Sequence, residues 1–234
     1  MSRTMYRSDS RIRTVAAVAV FCALAYVACV VFHFRASFLT FDLKDAVMTV
    51  GAMLFGPAWG FAMVLVVALI EMLTVSTTGL YGFVMNVLAS ASFVCVASFV
   101  YTRRRTMKGA LAGTFAAILA MTGVMMLANL VITPFYMGAS SADVAKLIPT
   151  LLLPFNLTKA VFNAALVFIL YKPIAAALRR AGFASQTVGA AEGAVPQSSQ
   201  KTHSLGITVA VALLVAAAAL VFFFLVLHGS VAVG

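Results

Sequence analysis

The chain has 234 residues, 64% hydrophobic and 9% charged, with a mean hydropathy of +1.09 and a formal net charge of +10. A soluble domain carries about a quarter of its residues as charges, so this composition excludes one and points to a polytopic membrane protein whose apolar runs are too long for core helices. Short Pro/Gly punctuation without sustained alternation excludes a membrane β-barrel, and the basic residues sit in clusters at the ends of apolar runs, which fits the positive-inside pattern and not a nucleic-acid surface.

Residues 1–13 are polar and basic, with Arg3, Arg7, Arg11 and Arg13. No small-x-small cleavage site precedes a polar mature chain, so the apolar run that follows reads as a first span over Thr14–Phe34 rather than a signal peptide. Its small residues Ala16, Ala19, Cys22 and Ala23 are spaced to line one side, and Ala19/Ala23 form an AxxxA step that admits close approach of another helix. The loop 35–45 carries four charges. The run Ala46–Phe55 is too short to span a core of about 30 Å and is broken by Gly56-Pro57. It reads as a short, partly embedded second helix, followed by a third over Ala58–Leu73 and a polar turn at Thr74–Gly79.

A fourth span is expected over Tyr81–Tyr101, ending at Arg103-Arg104-Arg105, and a fifth over Gly109–Tyr136. A polar loop with Asp143 and Lys146 leads to a sixth over Pro149–Leu178, which Pro173 bends or ends locally. Residues 181–204 read as a flexible linker. Ile207–Leu227 is an uncharged run long enough for a seventh span, expected as a detached or lateral helix. The expected organisation is therefore a cytoplasmic N-terminus at 1–13, a six-helix membrane domain over 14–180, a linker at 181–204 and an additional helix over 205–228. Cys22, Cys29 and Cys95 lie inside apolar runs without metal or disulfide spacing. His203 and His228 flank the last run at its interfaces.

With the N-terminus inside, twelve of the sixteen Lys/Arg fall on the inner side, leaving Arg35, Lys44, Lys146 and Lys159. The loops 35–45, 74–80 and 138–148 then lie outside, and the C-terminus also if the seventh run spans. This orientation sorts the costly polar residues by depth. Glu71, Asn86, Asn129, Asn156 and Lys159 come from different spans, yet all fall in the outer leaflet, beside Asp42 and Asp45. A lysine within a membrane costs roughly 2.5–3.5 kcal/mol on insertion scales. Such a set either satisfies itself, with Glu71 or Asp42 pairing Lys159, or lines a pocket open to the exterior.

FDLKD after the first span, LFGPAWG after the short helix, STTGLYGFVMN and LPFNLTKAVFNAALVFILYKP together resemble the S components of energy-coupling factor (ECF) vitamin importers, most closely those that bind riboflavin. The resemblance covers about residues 10–178, and PFNLTK with its downstream asparagine is its most specific part. It implies an all-α bundle of six helices with an outward vitamin pocket, to which the seventh span is an addition. It implies docking through the first helix, at Ala19 and Ala23, onto a transmembrane coupling subunit that carries two cytoplasmic ATPases. It also implies that Asn129, Asn156 and Lys159 hold the flavin ring while the 35–45 loop covers it.

The chemistry suits a flavin. Asparagine amides match the acceptor–donor–acceptor edge of the isoalloxazine imide, and Lys159 donates to a carbonyl or ring nitrogen. Thr40, Phe41 and Asp42 are placed to meet the ribityl chain, and Tyr81, Phe135 or Phe155 to pack on the ring. Glu71 and Asn86 complete the candidate substrate-binding set. Riboflavin is thus the expected transported ligand, with no cofactor or metal. Alternatives are an S component for another vitamin or a flavin relative, and a proton-coupled carrier using Glu71, Asp42 and Lys159. The carrier reading lacks acidic residues in the inner half. The chain has no Walker sequence for ATP hydrolysis, and no H-E-x-x-H, nucleophile elbow or paired intramembrane aspartates for catalysis.

Overall fold

Helix α1 (Ser2–Val31) begins well before the first expected span, because the basic stretch continues as helix; arginine is a good helix former. The computed structural model describes residues 2–32, 34–37, 39–76, 78–180, 202–226 and 230–231. α1 buries Ala17, Phe21, Ala25 and Cys29 against its neighbours and turns Ala16, Ala19, Val20, Ala23 and Val27 outward, a division that follows the helical repeat. Cys22 is buried, so it does not share the side formed by Ala16, Ala19 and Ala23 as the spacing suggested.

The loop 35–45 is largely a β-hairpin. Strands β1 (Phe34–Ala36) and β2 (Leu39–Phe41) pair antiparallel, Phe34 opposite Phe41 and Ala36 opposite Leu39. Ser37 takes φ +57° at its tip, as a two-residue hairpin turn requires. The hairpin folds into the bundle, burying Leu39, Phe41 and Asp42. Helix α2 (Lys44–Phe55) follows at once. Twelve residues rise about 18 Å, short of a bilayer core. α2 survives because protein covers it: every residue from Lys44 to Leu54 is buried, and α1, α3, α4 and α7 all pack on it. Gly56, at φ +104°, turns the chain, a conformation open to glycine, and Pro57 starts α3 (Pro57–Thr74) at the position where proline is favoured.

α4 (Gly79–Arg103) and α5 (Met107–Met137) pack closely. A Cβ on Gly113 would stand 2.7 Å from the Ala97 carbonyl oxygen, so glycine sets that approach. Thr106 caps α5 by accepting from Gly109 N, and Gly138 ends it in a left-handed conformation. The expected polar loop with Asp143 and Lys146 is instead helix α6 (Ser141–Leu147), capped by Ser140. A π-helical turn, Ile148–Leu152, joins it to α7 (Leu153–Arg180). Pro173 lies inside α7 and does not end it; packing of α7 against α2 and α5 outweighs one lost backbone bond.

Helix α8 (Thr202–Leu225) lies laterally on α7, packed rather than detached. Ala212, Ala216 and Ala219 let it approach, and Phe223 is fully buried. The expected linker falls almost wholly outside the described residues. Beyond α8, β3 (Ser230–Val231) pairs with β1, giving a small sheet of order β2-β1-β3. The architecture is thus an all-α bundle of α1–α5 and α7 with α8 added on its flank. Among the described residues, six helices, α8 included and α2 not, are long and apolar enough to cross a membrane.

Candidate functional site

The site grows from the start of α2. The first amides of a helix have no partner within it, and those of α2 are served by side chains from before it and from across the bundle. Asp42 Oδ1 accepts from Lys44 N at 3.3 Å, and Asn163 Oδ1 on α7 accepts from Ala46 N at 2.9 Å. Asn163 Nδ2 also donates to the Asp42 carbonyl at 3.2 Å. The hairpin and α2 are therefore tied to α7 at one point, and α7 brings Lys159 there.

Around that point the charges interlock. Lys159 Nζ lies 2.8 Å from Asp42 Oδ2 and donates to the Thr40 carbonyl at 3.1 Å. Lys44 Nζ lies 2.5 Å from Glu71 Oε2, 3.3 Å from Asn86 Oδ1 and 3.4 Å from Asp42 Oδ2. Asp45 accepts from Ser90 Oγ at 2.5 Å through Oδ1, while its buried Oδ2 has no partner among the described residues. Asp42, Lys44, Asp45, Glu71 and Lys159 are all buried. Burial alone would raise the Asp42 carboxyl, but the Lys159 and Lys44 ammonium groups beside this loop residue hold it well below the usual carboxylate range. Its contribution to stability is fully present above the ordinary carboxylate pKa and is lost progressively as pH falls from there through the depressed value.

A cavity of about 190 Å³ opens against this network. The hairpin supplies Ser37, Leu39 and Thr40; α3 supplies Glu71; α4 supplies Met85 and Asn86; α5 supplies Met121, Met125 and Tyr136; α7 supplies Phe155, Asn156 and Lys159; Ser76 and Thr78 close one edge. Several wall groups keep unused hydrogen-bonding capacity. Among the described residues, Lys159 uses two of three N–H donors, Asn156 donates to the Leu152 carbonyl and leaves Oδ1 open, and Asn86 uses only Oδ1.

Of the residues singled out from the sequence, Thr40, Glu71, Asn86, Phe155, Asn156 and Lys159 line the cavity. Asn129 does not: it is fully buried, donating to the Met125 carbonyl at 2.7 Å and accepting from Thr133 at 2.9 Å. Phe41 points into an aromatic cluster with Phe155, Phe162 and Phe223. Asp42 stands behind Lys159 as its partner, one of the two pairings the sequence left open. Tyr81 is half exposed with its ring 6.1 Å from that of Tyr136, and Phe135 is exposed on the outer surface. Lys44 and Asn163 were not in the candidate set. Lys44 reads as an outer-loop charge until the hairpin is seen to carry it into the bundle. The shortness of α2 is the one sequence signal that marks its first residues as covered.

A helical membrane bundle with a polar cavity beneath a folded-in hairpin defines the class as a multi-pass membrane protein built to hold a small ligand. The family model for the substrate-specific component of ECF transporters matches residues 13–171, and the chain belongs to that family. The riboflavin transporter RibU of Staphylococcus aureus (strain TCH60) is 30% identical over 153 residues, which is 63% of this chain and 80% of that protein. A solved structure of the S component of a bacterial ECF transporter matches with a TM-score of 0.59 at 26% identity, covering 75% of this chain and 99% of that one. Helix α8 lies beyond the residues matched by the family model.

Proposed function

We propose that this S component captures riboflavin from outside the cell and delivers it to the cytoplasm together with a transmembrane coupling subunit and two ATPases. The observation that carries the reading is the set of unspent groups on the cavity wall. The Asn156 oxygen, an N–H of Lys159 and the Asn86 amide offer both acceptors and donors to a flat imide edge, between the apolar surfaces of Met85, Met121, Met125 and Phe155. The likeness to the staphylococcal riboflavin transporter supports the same choice. The basic clusters favour a cytoplasmic N-terminus, and the exposure of Ala19 and Ala23 on α1 supports their role as the docking step for the coupling subunit.

Ligand pockets for molecules of this size run from roughly 300 to 1,000 Å³, so the cavity of about 190 Å³ must widen to take a tricyclic ring. The hairpin is the wall that moves, because it and the short Ser76/Thr78 edge are the parts of the wall not built from a long helix. The test is direct. Purified protein from rich medium is expected to be yellow and to quench the emission of added riboflavin. A colourless preparation that leaves added riboflavin fully fluorescent removes the flavin and keeps the family.

A further inference from the structure

The cavity carries a carboxylate of its own. Glu71 is 3% exposed, lines the cavity and gives Oε2 to Lys44. Oε1 makes no hydrogen bond among the described residues, so it remains for a ligand. A carboxylate oxygen accepts and never donates, so whatever meets it must bring an O–H or N–H. The nearby cations are already matched. Lys44 is spent on Glu71, Asn86 and Asp42, and Lys159 is on Asp42. Among the described lining residues Lys159 is the one cation, so no unmatched positive charge awaits an anion.

We infer that Glu71, positioned by Lys44, sets the charge selectivity of the cavity, accepting from the hydroxyls of a neutral flavin and rejecting flavins that bear a phosphate on the same chain. The inference rests on the flavin reading above and narrows its substrate class. The Asn156 oxygen, Lys159 and the Asn86 amide offer the acceptor and two donors that an imide edge needs, which leaves Glu71, Ser76 and Thr78 for the polyol. A phosphate there brings one to two negative charges. Lys44 already neutralises Glu71, so that added charge must leave water for a cavity with no unmatched cation to pair it, and this weakens binding.

The experiment titrates the full-length protein with riboflavin and with riboflavin 5′-phosphate, following flavin fluorescence. The wild type is expected to prefer riboflavin by about tenfold or more, since a buried charge without a partner is disfavoured. In Glu71→Gln the amide oxygen still accepts from Lys44, so the fold is kept while the charge is lost. This variant is expected to bind riboflavin more weakly and the phosphate more tightly, opposite shifts that loss of fold cannot produce. Glu71→Asp, which keeps the charge, is expected to keep the preference. Equal wild-type affinity for the two flavins, or an unchanged ratio in Glu71→Gln, overturns the selectivity and leaves the flavin reading standing. Monodisperse wild-type protein that binds neither flavin overturns both.

Discussion

Replacing Lys44 by methionine tests the charge network most directly. The apolar side chain fits the buried volume but strips Glu71 of its partner and Asn86 Oδ1 of its donor. Asp42 keeps Lys159 at 2.8 Å, so the damage falls on Glu71, which is 3% exposed. Removing one member of a buried ion pair costs roughly 3–5 kcal/mol, whereas replacing both by apolar or neutral groups is often neutral. For a chain of this length each kcal/mol shifts Tm by about 2–4 °C, so Lys44→Met is expected to lower Tm by about 6–20 °C. The double variant Lys44→Met/Glu71→Gln is expected to recover most of that loss. Thermal unfolding in detergent, read by size-exclusion chromatography of heated, ligand-free samples, gives the four corners of the cycle. A Tm within about 2 °C of wild type for Lys44→Met, or losses that simply add in the double variant, would refute the argument that Lys44 is there to neutralise Glu71.

Other expectations follow from the same geometry. Asn156→Ala and Lys159→Ala should weaken riboflavin binding by about fivefold and by about tenfold to a hundredfold respectively, the values for a neutral and a charge-assisted hydrogen bond; unchanged quenching titrations for both would mean that the ligand sits elsewhere. Ala19→Leu should leave riboflavin binding intact but abolish co-purification with the coupling subunit, since a bulky side chain blocks close helix approach; normal co-purification would clear α1 of the docking role. Phe223 is fully buried with its ring 4.7 Å from that of Phe41, so Phe223→Ala should remove the support behind the hairpin. Stopped-flow displacement of bound riboflavin should then show faster release, and an unaltered rate would show that α8 bears on the hairpin only in passing.

Much of this was legible because the bilayer restricts the chain to few solutions. Length and hydropathy located the spans, since every backbone polar group in lipid must be satisfied within a helix or a closed barrel. The cost of a buried charge singled out Lys159 and Glu71, and the resemblance carried by FDLKD and PFNLTK named the family. The sequence could not say which acid meets which lysine. That depended on the hairpin folding into the bundle and carrying Asp42 and Lys44 below the surface, where Lys44 sits closest to Glu71 and Lys159 closest to Asp42.

Nor could residue type tell which asparagine has capacity to spare. Asn129 is closed on its own helix by Met125 and Thr133, while Asn156 keeps an oxygen toward the cavity; helix rotation decides this, and neighbours set the rotation. The same holds for α8, whose run of apolar residues fixed only that it could cross a membrane. Its place against α7 and behind Phe41 came from alanines that admit a close approach and one phenylalanine that fills the gap. The sequence alone thus determined what must leave water, and the tertiary structure decided which buried groups neutralise each other and which stay open for a ligand, because that choice turns on distances of a few ångströms between segments far apart in the chain.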